Sequence, residues 1–248
     1  MNDFSNKTYL VTGASSGIGS QVAIDIASAG GKVILTGRSE EKLKSVFGKL
    51  QGSGHISISC DLTDEILIKN LLDKIPAIDG FVHSAGVSPM VPVRFIKLKQ
   101  SRDVFAINYE AALLLISGLL ALKKINKDGS LVFISSLSTT QPLFGGALYT
   151  ASKLALEGLS KTLALELQPK KIRANCICPA YVFSPMVDEA NKNLSVEFME
   201  QFQKMHPDGF GYPENVSSVI LFLLSESSKW VNGRNIPLGS FNINIPAL

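Results

Sequence analysis

Thr8-Tyr9-Leu10-Val11-Thr12-Gly13-Ala14-Ser15-Ser16-Gly17-Ile18-Gly19 is the stretch that decides the fold. An apolar, β-prone run ends at Thr12, a G-x-x-x-G-x-G turn follows, and a helical pattern opens near Gly17. That pattern runs through Gln21-Val22-Ala23-Ile24-Asp25-Ile26-Ala27 to Gly30-Gly31, a pair suited to ending a helix. A strand, a glycine turn and a helix in that order build a cradle for a pyrophosphate. Glycines let the backbone turn tightly and approach the ligand, while free N–H groups and the positive end of the helix dipole face its charge. A glycine-rich turn alone is weak evidence, because glycines also end strands for steric reasons; its place between strand and helix strengthens it.

Outward from this unit the alternation continues. Short β-branched runs at Lys32–Thr36, His55–Ser59, Gly80–His83, Ser130–Ser135 and Ile172–Cys178 are separated by helical patterns, the second helix starting at Glu40-Glu41-Lys42-Leu43-Lys44. This pattern predicts an α/β chain with a doubly wound parallel sheet, the Rossmann arrangement. No repeat, low-complexity segment or linker divides residues 1–248, so one dinucleotide-binding catalytic domain is expected. The stretch Phe183 to Pro213 breaks the alternation and reads as a small helical lid, with its helix at Ser195–Lys204, over a substrate site.

Composition narrows the function. The chain has 248 residues, 46% hydrophobic and 18% charged, with 24 Lys+Arg against 21 Asp+Glu for a net +3. At this size a core forms without disulfide or metal staples. No block of like charge marks a nucleic-acid or membrane surface, so neither partner is expected. Cys60, Cys176 and Cys178 are an odd number without a C-x-x-C pair and read as buried thiols in a reducing compartment. His55, His83 and His206 lie far apart without metal-ligand spacing, so no metal is expected. The N-terminal stretch lacks a basic region followed by an apolar one, and the apolar run Ala111 to Leu122 falls short of the roughly 20 residues that cross a bilayer. A cytoplasmic protein is the expectation.

At the end of the second strand a site for NAD offers a carboxylate to the ribose hydroxyls. Here the residues are Thr36-Gly37-Arg38-Ser39. A guanidinium pairs bidentately with a 2′-phosphate, so NADP(H) is expected over NAD(H); the alternative leaves Arg38 as a solvated surface residue. Further on, Tyr149 and Lys153 are four apart on one helical face. A phenol with an ordinary pKa near 10 needs about 4 kcal/mol to exchange protons at neutral pH. A cation ~4 Å away at an effective dielectric near 20 supplies about that much. Taken alone, Tyr-x-x-x-Lys is also a frequent coincidence on helices.

The sequence resembles the short-chain dehydrogenases/reductases, and in particular their 3-oxoacyl-carrier-protein reductase-like members. The resemblance rests on Thr12 to Gly19, Asp61-Leu62, His83-Ser84-Ala85-Gly86, Asn108, Ser136 and Tyr149-x-x-x-Lys153 in that order. It continues through Pro179-Ala180-Tyr181-Val182-Phe183-Ser184-Pro185-Met186 to Asn232-Gly233 and covers almost the whole chain. It implies a catalytic tetrad. Tyr149 would be the general acid in carbonyl reduction and the base in alcohol oxidation, with Lys153 binding the nicotinamide ribose and holding the phenol's pKa down. Ser136 would hydrogen-bond the substrate oxygen, and Asn108 would complete a proton relay through a bound water. Read in isolation, Ser136 is equally a strand-end turn residue and Asn108 a helix cap or kink.

For the cofactor the resemblance implies Gly13, Ser15, Ser16, Gly17, Ile18 and Gly19 around the phosphates and Arg38 at the 2′-phosphate. Asp61 and Leu62 would meet the adenine, with Ala85 and Gly86 beneath its ribose, and Pro179, Val182 and Ser184 would border the nicotinamide; Asn108, Tyr149 and Lys153 complete the set. Three departures stand out. The family's Asn-Asn-Ala-Gly is His83-Ser84-Ala85-Gly86, and His83 is read as a structural brace of the sheet. Its Pro-Gly is Pro179-Ala180, and its Asp-Gly-Gly is Leu238-Gly239-Ser240, ahead of the variable tail Phe241 to Leu248.

Leu137, Ser138, Phe144, Tyr181, Phe183, Met186 and the lid are expected to wall the substrate pocket, which suits a medium-sized ketone or secondary alcohol, a 3-oxoacyl thioester among them. The rival readings are a sugar, polyol or steroid dehydrogenase on the same scaffold, and a sensor that binds NADP without turnover. A homotetramer or homodimer is expected from the resemblance, through the helix Ala111 to Leu122 and the helix after Tyr149.

Overall fold

Alternate residues of each central strand point to opposite faces, and both faces are apolar, so helices must cover the sheet on two sides. In the computed structural model, which describes residues 3–185, 200 and 202–240, this is what forms. Strands β1 (Thr8–Thr12), β2 (Lys32–Gly37), β3 (Ile56–Ser59), β4 (Ile78–His83), β5 (Ile125–Ile134), β6 (Arg173–Pro179) and β7 (Asn235–Leu238) make one parallel sheet in the order β3-β2-β1-β4-β5-β6-β7. Leu10, Ile34, Phe81, Leu131, Phe133 and Cys176 point to one face. There they meet α3 (Glu65–Lys74), α5 (Ala111–Ala121) and α6 (Ala147–Glu166). Tyr9, Val11, Val33, Leu35, Val82, Val132 and Ile177 point to the other, under α1 (Gly17–Ser28), α2 (Glu40–Phe47) and α7 (Pro213–Leu224). The chain order reverses between β1 and β4, and in open parallel sheets ligands enter at the carboxyl ends of the strands beside such a reversal.

Six strand boundaries move by one or two residues and one by more. β5 begins at Ile125, upstream of the expected Ser130, because Ile125 pairs with Ile78 across a register shift. The intervening Asn126-Lys127-Asp128-Gly129 hides the strand period: Asp128 is left-handed at φ 64°, and Asn126 donates to Asp79 Oδ1 over 2.8 Å. β7 was not expected at all. Pro237 reads against a strand, yet β7 is the outer strand, where a missing N–H costs no ladder bond.

Helix α4 (Leu98–Phe105), a π turn at Ala106–Glu110 and α5 form one continuous run. Leu98–Ala121 spans 24 residues and is long and apolar enough, by length and hydropathy alone, to cross a membrane. In the fold Ala111, Ala112, Leu115, Ile116 and Leu119 of this run are buried in the core against the sheet and α3. The expected lid helix Ser195–Lys204 and the pocket residue Met186 fall largely or wholly outside the described residues, as does the tail Phe241 to Leu248.

Candidate active site

The glycine turn after β1 has the geometry that its sequence requires. Gly13 has φ +63°, and a Cβ there would stand 2.7 Å from Ala85 N. A Cβ on Gly19 would stand 2.5 Å from Gly13 O, so helix α1 packs directly on the turn. Ser16 caps α1 without a side-chain hydrogen bond, and the first turn has no acidic residue. The helix therefore presents uncapped N–H groups and the positive end of its dipole to the space above, which fits a phosphate.

That space is a cleft of ≈ 240 Å³ along the carboxyl ends of β1 to β5. Of the residues singled out in the sequence, Gly13, Ser15, Ser16, Gly17, Ile18, Arg38, Leu62, Ala85, Gly86, Tyr149, Lys153 and Ser184 line it. The remainder stand behind or beside it. Gly19 lies under the turn. Asn108 is buried beyond Gly86, where a Cβ on Gly86 would meet Asn108 Oδ1 at 3.1 Å and Lys153 Nζ at 3.5 Å. Asp61 is held below the ordinary carboxylate range by the N–H and hydroxyl of Thr63, with Arg38 adding to the effect. Pro179 is buried at the end of β6, and Val182 is buried in a bridge to Gly211. Gly37, Cys60, Ser84, Val87, Ile107, Ile134 and Pro185 also line the cleft; each lies within two positions of a motif residue in sequence, which is the signal that could have found them.

Tyr149 and Lys153 lie in the first two turns of α6, as their spacing predicts. The phenol is half-buried, and the hydroxyl of Ser136, just past the end of β5, stands close enough to act on its pKa. Lys153 Nζ stands 5.5 Å from the centre of the Tyr149 ring and donates to the main-chain oxygen of Ile134 over 2.7 Å. The expected acidification of the phenol is not present in this state. Burial raises the Tyr149 pKa, the Ser136 hydroxyl opposes the rise, and the ammonium does not offset it. Burial instead lowers Lys153, to about 8. The reason is desolvation: each group loses water on entering the core, and each shifts toward its neutral form.

Asn108 sits in the π turn and accepts from Val87 N (2.8 Å) while donating to Val87 O (3.0 Å) and Ser152 Oγ (2.9 Å). Ser152 Oγ in turn donates to Tyr149 O over 2.7 Å. This serine, inside Tyr149-Thr150-Ala151-Ser152-Lys153, ties Asn108 to the helix that carries the tyrosine, and sequence reasoning passed over it. One turn beyond Lys153, buried Glu157 accepts from Ser135 Oγ (2.7 Å) and Asn235 Nδ2 (2.5 Å), locking β5, β7 and α6 together beside Ser136.

The expected pocket walls divide. Phe144 is 89% exposed, while Ser138 is buried. Tyr181 and Phe183 do not line the cleft; Tyr181 stacks on Phe210 at 4.1 Å between ring centres, and Phe183 packs on Phe210 and Tyr212. Aromatic–aromatic packing holds these rings against one another, although Phe183 and Tyr212 stay partly open to solvent.

A doubly wound parallel sheet with a phosphate-shaped glycine turn and a Ser, Tyr and Lys set at its switch point defines a nucleotide-dependent oxidoreductase. The chain belongs to the short chain dehydrogenase family, which it matches over residues 7–195. It is 33% identical over 238 residues to the 3-oxoacyl-[acyl-carrier-protein] reductase of Rickettsia felis, covering 95% of this chain and 96% of that protein. It is 32% identical to the human mitochondrial dehydrogenase/reductase SDR family member 2 (97% and 88% covered) and to the L-xylulose reductase of Caenorhabditis elegans (98% of each). The crystal structure of a Brucella melitensis protein titled short-chain dehydrogenase/reductase SDR: glucose/ribitol dehydrogenase superposes with a TM-score of 0.84 at 28% identity, covering 100% of this chain and 99% of that one. The family acts on CH–OH and C=O groups with a nicotinamide cofactor.

Proposed function

We propose that this chain is an NADP(H)-preferring reductase of a medium-sized ketone, running in reverse on the secondary alcohol, with a 3-oxoacyl thioester as the leading substrate class. The observation that carries the cofactor preference is Arg38. It stands at the end of β2 on the same cleft as the phosphate turn, and Thr36-Gly37-Arg38-Ser39 offers no carboxylate to ribose hydroxyls. When bound, the reduced nicotinamide supplies the hydride.

The protein's own residues do the rest. Gly13, Ser15, Ser16, Gly17 and Ile18 hold the phosphates, Leu62 and Ala85 border the adenosine, and Ser184 closes over Gly17, whose Cβ position lies 3.4 Å from Ser184 Cβ. Ser136 orients the substrate carbonyl and steadies the charge developing on its oxygen. Tyr149 delivers the proton. Its raised pKa keeps the phenol protonated at neutral pH, the form a reductase needs. Lys153 holds the ribose, and Asn108, through Ser152 and Val87, fixes the geometry behind both.

The 3-oxoacyl class draws on the Rickettsia relative. The C. elegans L-xylulose reductase supports a sugar or polyol substrate as a second reading. The deciding experiment is a screen at about 340 nm of NADPH and NADH consumption over acetoacetyl thioesters, ketones and sugars. Binding of NADPH with no turnover on any of them would favour the sensor reading. A homo-oligomer is part of the proposal: Leu113, Leu114, Leu154 and Leu165 are exposed on α5 and α6, and Leu122 just past α5, and light scattering that gave a 26.7 kDa monomer would remove it.

A further inference from the structure

His83 is fully buried, titratable, and unused by the chemistry above. It ends β4, and one edge of its ring meets Thr12 Oγ1 at 3.1 Å from Nδ1. The proton on that ring can be placed by counting. A threonine hydroxyl accepts two hydrogen bonds and donates one. Thr12 Oγ1 already accepts from Ser84 N and from Ala85 N, each over 3.2 Å. Its own hydrogen is therefore left for His83, Nδ1 is the acceptor, and the ring proton resides on Nε2. Burial supports the neutral state by pressing the ring's pKa down to about 3, with the Lys153 ammonium acting in the same direction.

With Nδ1 taken by Thr12, Nε2 is the edge left to meet the main-chain carbonyls of Ile107 and Asn108, two residues of the π turn that act on the ring. In the structure Nε2 is buried and makes no hydrogen bond of normal geometry. A π turn takes a residue out of the regular ladder, so its carbonyls have bonding capacity that a donor from outside the helix can use. An N–H directed at this pair braces the turn from the sheet side, opposite the Asn108 side chain's bonds to Val87 and Ser152. Among the described residues, Lys153 across the turn is the titratable group that acts on His83.

We infer that His83 is a positioning residue: as the Nε2–H tautomer, accepting from Thr12 and directing its N–H to the Ile107–Asn108 carbonyls, it sets the π turn that places Asn108 and, behind Gly86, Lys153. This rests on the reading of Asn108 and Lys153 as working parts of the site, but its first test does not.

In protein labelled with ¹⁵N histidine, three rings contribute, and long-range ¹⁵N–¹H correlation assigns each tautomer. His83 is expected as Nε2–H without titration across pH 5 to 9, roughly the range in which an ordinary imidazole changes charge. Nδ1–H, or titration near the ordinary value, overturns the proposal. In the second test, His83→Leu is expected to accelerate amide exchange in residues 106–110, to lower kcat roughly tenfold and to leave the NADPH KM within about twofold. His83→Gln, whose amide reaches the Nε2 position, restores slow exchange and most of kcat. Unchanged exchange in His83→Leu, or failure of Gln to restore what Leu loses, overturns it. If no substrate is ever found, tautomer and exchange still decide the proposal. If His83→Leu does not fold, His83→Gln and the wild-type spectrum do so.

Discussion

Replacing Lys153 by methionine separates what the ammonium does for chemistry from what it costs the fold. Lys153 is 4% exposed and its pKa falls from 10.5 to about 8 because burial penalises the charge. At 1.36 kcal/mol per pH unit this corresponds to roughly 3 kcal/mol of destabilisation below pH 8. Methionine removes the charge at similar length, but it also removes the 2.7 Å bond to Ile134 O, worth about 1 kcal/mol. The variant is therefore expected to be about 2 kcal/mol more stable than wild type at pH 7 while losing its activity. The sign follows from linkage: between 8 and 10.5 the unfolded lysine binds a proton that the folded one releases, so the wild type gains stability from this group as pH rises. The variant has no such gain, and its advantage should vanish by about pH 10.5. Buried Cys60 and Tyr9, with raised pKa values, titrate in the opposite sense in both proteins and cancel in the difference. Urea unfolding of both proteins at pH 7, 9 and 10.5 measures this. A variant less stable at pH 7, or a difference that does not change with pH, would refute the claim that Lys153 carries its charge against burial.

Four further outcomes are expected. Tyr149→Phe should lower kcat about 10²–10⁴-fold with the NADPH Kd nearly unchanged in fluorescence titration; residual activity near wild type would take the proton donor elsewhere. Arg38→Asp should shift the NADPH/NADH ratio of kcat/KM by roughly 10–100-fold toward NADH, and an unmoved ratio would mean that another group reads the phosphate. Gly13→Ala should cost at least ~1–2 kcal/mol from its left-handed φ alone, more from the approach of Cβ to Ala85 N, and should weaken cofactor binding, as thermal unfolding and NADPH titration can show. Gly158→Ala, where a Cβ meets nothing within 4 Å in the middle of α6, should instead stabilise.

What the sequence made legible was local. The phosphate turn is written in consecutive residues because a strand, a turn and a helix each leave their own short-range signature. The shared face of Tyr149 and Lys153 follows from the helical period alone. The sign of the tyrosine's pKa shift was not legible, because desolvation depends on how β5, β6 and α6 close around the phenol. The link from Asn108 through Ser152 joins residues 44 apart in sequence, and the Ser135–Glu157–Asn235 cluster joins three elements. Periodicity carries no information about such partners. Tyr181 and Phe183 were misplaced for a similar reason: a sequence shows that an aromatic wants cover, but not that Phe210 provides it.

The same contrast bears on why the substrate is harder to read than the reaction. Lys153, Ser152 and Asn108 are anchored to main-chain groups of Ile134, Tyr149 and Val87, so their positions depend on the backbone and not on which side chains surround them. A scaffold that fixes its polar side chains in this way can change the residues around the cleft mouth without moving the proton donor. Met90 and Phe144 precede Val91 and Gly145, whose backbones are bonded, and both are exposed. Neither side chain is tied into the polar framework, so substituting either leaves the carbonyl end untouched. Changes at Met90 and Phe144 should therefore appear in KM across a ketone series, and changes at Ser152 in kcat for every ketone alike.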